Sequence, residues 1–297
     1  MSGSDSWPMV EAGDADTIAW REVLPETIAR IEEAGLPIAE ARWIVEEAGG
    51  TDLDEPVTRR CMAHHDELLR RRLAGEPLQY VLGHWSFRTL DLMVDPRVLI
   101  PRAETEAVVG HALDEFDRIA AGRSGAVLVV DLGTGSGAIG LSIAAERTAA
   151  RVVCTDCSPE ALSVARANLS GLGRPARRVT LAEGPWFDAL PDGLRGRLDL
   201  LVSNPPYVGG GERLPPEVID WEPHGALVPG TEGTEDLDLL VDGSTTWIAP
   251  GGALVLELDP RQADRLAERA SAGGLVDVDV RPDLTGRDRA LVARMPG

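Results

Sequence analysis

Val129-Val130-Asp131-Leu132-Gly133-Thr134-Gly135-Ser136-Gly137-Ala138-Ile139-Gly140 carries an apolar strand pattern into a run of glycines and then into an apolar helix start. Glycines at a strand-to-helix turn let the backbone approach a ligand, and the first turn of the helix offers N–H groups that have no partner within the helix. A small polar molecule is expected there. Gly135, Gly137 and Gly140 also satisfy G-x-G-x-x-G, so a dinucleotide is the rival ligand, and Asp156, at the end of the next strand, suits a ribose in either case. Asp131 separates the two. A carboxylate is repelled by a pyrophosphate and attracted by the ammonium of a methionine moiety, which favours S-adenosylmethionine.

Strands and helices alternate outward from this turn. Strands are expected at Ala126–Leu132, Arg151–Thr155, Arg178–Leu181, Leu198–Val202, Ala253–Leu258, Leu275–Val280 and Asp288–Arg294. The expected helices between them are Ser136–Glu146, Pro159–Leu169, Thr234–Ile248 and Arg261–Ala272. Alternation of this kind predicts a doubly wound, mostly parallel α/β sheet, and the short connection between the last two strands predicts an antiparallel pair at one end.

Before Glu104 the pattern changes. Residues 1–16 are polar and acidic and read as a disordered tail, without the basic and apolar regions of a signal peptide. Apolar residues recur at helical spacing over 17–76, with helix boundaries near Pro37, at Gly49-Gly50 and near Pro56. A helical module is expected there. Residues 77–101 turn to a two-residue period through Phe87, Leu90, Leu92 and Val94, with Asp95-Pro96 as the turn signal, and predict a β-hairpin linking that module to the domain over 102–297.

With 297 residues, 43% of them hydrophobic, the chain can bury one large core or two. The net charge is -20 and every basic residue is an arginine. Such acidity opposes a protein that works through a broad basic face on nucleic acid, so no stable nucleic-acid partner is expected. The apolar runs are strand-sized, so no membrane span is expected. Three cysteines, Cys61, Cys154 and Cys157, fit a reducing, cytoplasmic setting and no disulfide framework. Cys154-x-x-Cys157 lacks a second pair, so no metal site is expected. His64 and His65 point to different sides of a helix, and Arg59, Arg60, Arg70, Arg71 and Arg72 read as a solvated helix face.

The second chemical signal is Ser203-Asn204-Pro205-Pro206-Tyr207, at the carboxyl end of a later strand, where open sheets of this kind bind ligands. Two prolines stiffen the loop and remove N–H donors, which leaves carbonyl oxygens to accept. Asn204 adds a side-chain acceptor and Tyr207 a flat surface. Such a group suits a planar NH2 conjugated to a carbonyl or an aromatic ring, held in line with a methyl sulfonium.

These residues resemble the N5-glutamine methyltransferases of the release-factor type, the HemK/PrmC family. The resemblance runs from about Trp20 and includes Pro77-Leu78-Gln79-Tyr80, Leu99 to Glu106, Asp131 to Gly137, Asn204 to Tyr207, Glu222-Pro223 and Asp283 to Arg289. It implies a seven-stranded, Rossmann-like class I methyltransferase domain behind a small helical domain and a hairpin. It also implies methyl transfer from S-adenosylmethionine to a glutamine in the Gly-Gly-Gln loop of peptide chain release factors, and so a cytoplasmic role in translation termination. Cofactor contacts carry over to Gly133, Thr134, Gly135, Ser136, Gly137, Asp156, Trp186 and Asn204, and substrate contacts to Asn204, Pro205, Pro206 and Tyr207, with Asn204, Pro205 and Tyr207 catalytic. Ala103 stands where the family usually has proline and Asp259 where it usually has glycine, and Gly209-Gly210-Gly211 reads as an unusually loose run.

Three other readings compete: an N5-glutamine methyltransferase of a ribosomal protein, a nucleic-acid amino-methyltransferase, and a scaffold that binds S-adenosylmethionine without catalysis. The first keeps the chemistry and changes the docking surface. The acidity opposes the second, and intact Asn204 and Tyr207 oppose the third.

Overall fold

The computed structural model describes residues 18–122 and 124–297, so the tail expected over 1–16 lies outside the described residues. The chain divides into two compact units, with the boundary between Leu82 and Gly83. The first unit holds helices α1 (Trp20–Glu33), α2 (Ala39–Gly49), α3 (Arg59–Leu73) and α4 (Leu78–Leu82). Trp20, Ile31, Ile44, Val45, Leu68 and Leu69 are buried in it. Gly49 is the seat of the Trp20 indole, since a Cβ there would lie 2.0 Å from Trp20 Cε2. His65 is buried and its Nε2 lies 2.9 Å from Thr27 Oγ1, while His64 is exposed.

The arginines of α3 do not form one solvated face. Arg72 is buried and bonded to Glu40 at 2.6 Å, and Arg71 is half-buried against Glu76, leaving Arg70 in an exposed pair with Glu67. Helical spacing turns consecutive residues 70, 71 and 72 to different sides, so a run in sequence is not a patch in space.

The second unit opens with β1 (His84–Phe87) and β2 (Leu90–Met93), an antiparallel hairpin. Its turn is Arg88-Thr89, and Asp95-Pro96 comes after the hairpin. Arg88 takes the left-handed conformation at φ 52°, and its guanidinium is clamped by Glu146 at 2.6 and 2.9 Å and by the Glu106 carbonyl at 2.9 Å. Those partners lie far along the chain, so the local sequence gave no sign of the turn. The span 77–101 is not a single linker: Leu78–Leu82 is a helix of the first unit, and the hairpin belongs to the second.

The remaining elements are α5 (Ala103–Ala121), β3 (Val127–Leu132), α6 (Ala138–Glu146), β4 (Ala150–Asp156), α7 (Pro159–Gly171), β5 (Val179–Glu183), β6 (Leu198–Ser203), α8 (Pro216–Trp221), α9 (Glu235–Trp247), β7 (Ile248–Glu257), α10 (Ala263–Ala272), β8 (Val276–Pro282) and β9 (Asp288–Arg294). The sheet order is β5-β4-β3-β6-β7-β9-β8, seven strands, with β9 antiparallel to both its neighbours. Alternate residues serve opposite faces. Val129, Leu200, Val202, Val255 and Val292 pack under α5 and α6, while Val130, Leu132, Leu201, Leu254 and Leu256 pack under α9 and α10. A sheet covered on both faces explains why its central strands read as nearly continuous apolar runs.

Strand β7 starts at Ile248, five residues before the expected Ala253. Its pairing with β6 slips between Leu198 and Leu200, and Gly252 lets the backbone pass the Asp199 carbonyl, which a Cβ would meet at 2.8 Å. Helix α8, six residues behind Pro215-Pro216, is too short to leave a periodic signal.

Candidate active site at the sheet switch point

The strand order reverses between β3 and β6, and ligands bind outside the carboxyl ends of the strands at such a point. Leu132 pairs with Ser203 across these two strands, so the glycine turn and the Asn-Pro-Pro-Tyr loop leave the sheet side by side. Ser203 Oγ ties the two exits by donating to the Leu132 carbonyl at 2.6 Å. A cleft of about 420 Å³ opens there, and Gly133, Thr134, Gly135, Ser136, Asp156, Trp186, Asn204 and Pro206 line it. Asp131, Gly137, Pro205 and Tyr207 are not among its walls.

Asp131 sits fully buried beneath the turn. Its Oδ2 accepts from Thr134 Oγ1 at 2.6 Å and from the Gly140 N–H at 2.9 Å, and Oδ1 has no partner among the described residues. Burial pushes its carboxyl up to about 6. Gly137 caps α6 at φ 90°, a conformation that strains any residue with a Cβ. The turn does not leave all its N–H groups open, because Gly135 N–H already donates to Asp156 Oδ2 at 2.9 Å. Asp156 Oδ1 accepts from Ser158 N–H at 2.9 Å, and burial raises this carboxyl too. A carboxylate can accept more bonds than these two, which leaves Asp156 capacity for a ligand.

Trp186 has φ 45°, uncommon for a bulky residue and a mark of a constrained site. Its indole N–H donates to Asp236 at 3.0 Å, and its ring edge lies so near Gly133 that a Cβ there would be 3.2 Å from Cζ3. The cleft thus offers an aromatic plane and a half-buried acid at the end of β4, and an unpartnered carboxylate oxygen lies buried beneath its glycine turn. That set fits a ligand with an aromatic base, a ribose and a cationic amino acid.

On the other wall, Asn204 Nδ2 donates to Thr105 Oγ1 at 3.3 Å, and Thr105 donates to Glu257 Oε2 at 2.7 Å. Tyr207 presents no flat surface to the cleft. Its hydroxyl turns inward to donate to Glu257 Oε1 at 3.2 Å, and its carbonyl accepts from Gln262 Nε2 at 3.0 Å. Burial drives the Tyr207 phenol well above its ordinary value and pushes Glu257 up to about 7. Pro205 is buried behind Pro206.

Thr105, Glu257 and Asp236 were not foreseen as site residues. Glu257 did leave a signal, an acid at the end of an apolar strand beside β6, a place where charge is expensive. Thr105 and Asp236 left none by themselves, since both sit in helices rich in acids.

The departures have local explanations. Ala103 occupies the first position of α5, where proline is favoured but no hydrogen bond is lost without it. Asp259 caps the short turn Pro260–Gln262 by accepting from Arg261 N–H at 2.9 Å. Gly209 is buried and bridged to Gly230, and a Cβ on the facing Gly233 would lie 2.6 Å from Gly209 N. The run that reads as loose is a close contact of two backbones.

Cys154 is buried against Gly140 and Cys157 is exposed. Among the described residues no three His, Cys, Asp or Glu side chains gather as a metal site, and no helix is long and apolar enough to cross a membrane.

The seven-stranded sheet and this cleft define an S-adenosylmethionine-dependent methyltransferase. Residues 22–83 match the model of the PrmC N-terminal domain, and residues 117–218 match that of the methyltransferase small domain. The chain is 40% identical to the release factor glutamine methyltransferase of Burkholderia pseudomallei, over 92% of this chain and 98% of that one. It is 39% identical to the enzyme of the same name from Deinococcus radiodurans, over 93% and 99%. The chain belongs to the release factor glutamine methyltransferase family. Among solved structures, the hMettl16 catalytic domain in complex with the MAT2A 3'UTR hairpin 6 superposes with a TM-score of 0.52 at 14% identity, covering 80% of this chain and 81% of that one, a likeness of fold alone. Membership decides between the two ligands the glycine turn left open: the methyl donor is S-adenosylmethionine.

Proposed function

We propose that this enzyme methylates the side-chain amide nitrogen, N5, of the glutamine in a release factor's Gly-Gly-Gln loop, in the cytoplasm, with the helical unit as a docking surface for the protein substrate. The observation that carries the reading is the orientation of Asn204. Its Nδ2 is turned to Thr105, so Oδ1 is the atom left to accept an N–H at the cleft wall beside the glycine turn.

When bound, S-adenosylmethionine supplies a methyl group on a positively charged sulfur. Asp156 would hold the ribose hydroxyls, Trp186 would cover the adenine, and the turn from Gly133 to Gly137 over Asp131 would receive the methionine end. Asn204, with the carbonyls of the Pro205-Pro206 loop, accepts the two amide N–H bonds and weakens the conjugation of the nitrogen lone pair. This concentrates electron density on a nitrogen that is a poor nucleophile in the free amide. The proton lost from nitrogen after transfer goes to water, so no separate base is required. Buried Pro205 and half-buried Tyr207 act from behind, as the frame of the loop.

The test offers labelled S-adenosylmethionine with a release factor, a ribosomal protein and duplex DNA side by side. Label on the release-factor glutamine is the expected result. Label on the ribosomal protein alone would replace the partner and keep the chemistry, and label on DNA alone would refute amide methylation. In Asn204→Ala, turnover should fall about 10²–10³-fold, by analogy with loss of one positioned oxyanion-hole donor, while donor affinity holds.

A further inference from the structure

Asn204 can be useful only if its amide faces the right way, and the two ways differ by a rotation that exchanges an acceptor for a donor. In one, Oδ1 meets the cleft and can accept the substrate N–H. In the other, the NH2 meets the cleft and confronts the substrate donor with a donor. Nothing in Asn204 itself chooses between them.

The choice is made behind it. Thr105 Oγ1 has one proton and lies between Asn204 Nδ2 at 3.3 Å and Glu257 Oε2 at 2.7 Å. Thr105 lines the cleft yet is only 3% exposed, and Glu257 is 1% exposed, so water has little access to the bond between them. When Glu257 is ionised it can only accept, so the threonine proton must point to it. Oγ1 is then an acceptor toward Asn204, and the asparagine must offer its NH2 inward and its Oδ1 outward. Tyr207, which donates to the other Glu257 oxygen at 3.2 Å, reinforces the acceptor state of the carboxylate.

We infer that Thr105 and Glu257 are positioning residues of the methyl transfer, a two-link hydrogen-bond relay that orients the Asn204 amide with its oxygen toward the substrate. The inference rests on the glutamine reading above and deepens it. A proton on Glu257 Oε2 reverses the relay: the acid donates to Thr105, Thr105 turns its proton on Asn204, and the acceptor is lost from the cleft. The groups facing Glu257 are Glu104 and Thr105 of α5, Tyr207 of the loop after β6, and Arg289 of β9. Of the charged pair, Arg289 favours the ionised acid and Glu104 opposes it.

Steady-state kinetics of the full-length enzyme on an intact release factor test this. Thr105→Val keeps the shape and removes the hydroxyl. It should lower kcat about tenfold, the worth of one well-placed hydrogen bond, while donor affinity by calorimetry and KM for the release factor stay within about twofold. Thr105→Ser keeps the hydroxyl and should restore most of kcat. The wild-type kcat should rise with pH as Glu257 ionises, and Glu257→Gln should lose that limb. Wild-type kcat in Thr105→Val, alongside an inactive Asn204→Ala, would overturn the relay and leave the glutamine reading standing. Equal loss in the Val and Ser variants with a lowered Tm would also overturn it, in favour of a packing role. Absence of glutamine methylation by the wild-type enzyme would instead remove the reading on which the relay rests.

Discussion

At Asp156 one carboxylate oxygen accepts from Gly135 N–H of the glycine turn and the other from Ser158 N–H of the loop after β4, and a carboxylate has acceptor capacity beyond these two bonds for a ligand. Asp156→Ala should therefore weaken S-adenosylmethionine binding about ten- to a hundredfold, the loss of a charged hydrogen-bond acceptor, and calorimetry would show it. Unchanged affinity would remove the ribose from this residue. Glu257 and Asp131 make a second point at this scale, because burial raises their pKa values to about 7 and about 6. The folded chain holds these protons after the unfolded chain has lost them, so each residue's contribution is fully present below the ordinary carboxylate pKa. It declines as pH rises through the folded value, by roughly 1.4 kcal/mol per pH unit per group within that window. Glu115 acts at the other end of the scale. Its burial is outweighed by Arg294 and Arg118, which hold it at about 2, so its contribution is present above the ordinary range and lost as pH falls toward about 2. Calorimetric melting should thus show the wild-type protein losing stability between pH 5 and 7. Glu257→Gln should flatten that fall, and a parallel curve would mean that another group carries it.

Elements meet closely where α6 crosses the carboxyl end of the sheet. Gly140 lies against β3 and β4, and a Cβ there would stand 2.4 Å from Cys154 Sγ and 3.0 Å from Asp131 Oδ2. Two effects oppose each other in Gly140→Ala. Alanine favours the helix by roughly 0.5–1 kcal/mol, whereas forcing a methyl into a packed contact costs about 1–3 kcal/mol. The contact should win because one neighbour is a fully buried strand residue with nowhere to move. Chemical denaturation should show the variant destabilised by about 1–2 kcal/mol, with weaker donor binding as Asp131 is displaced from the turn. A more stable variant would show that α6 can slide.

For the whole molecule, charge is the leading property. A net charge of -20 speeds encounter with a basic partner through long-range attraction, which salt screens over about 8 Å at physiological ionic strength. A substrate loop that works against ribosomal RNA needs basic charge around it, which complements this acidity. Raising salt from about 50 to about 300 mM should then lower kcat/KM for the intact protein and leave turnover on saturating short peptide nearly unchanged. Equal salt sensitivity on both substrates would place the effect in the active site instead of in association.

Periodicity and punctuation in the chain were enough for the alternation of β3 to β9 with α6, α7, α9 and α10, for α1 to α3 of the first unit, and for the two loops that carry the chemistry, but not for the short helices α4 and α8. Their signals are local: apolar spacing, glycine at a strand end, proline in a loop. Asp156 and Trp186 could be placed at the cleft from motif and resemblance. What the sequence could not decide was everything set by groups distant in the chain. Arg88, not Asp95-Pro96, makes the hairpin turn because Glu106 and Glu146 hold it. Arg72 goes inward because Glu40 receives it, 32 residues away. Tyr207 faces Glu257 and not the cleft, and Thr105 joins Asn204 across 99 residues. A buried polar group must find a partner wherever the fold can supply one, and that partner's identity exists only once the sheet has brought β6, β7 and α5 together.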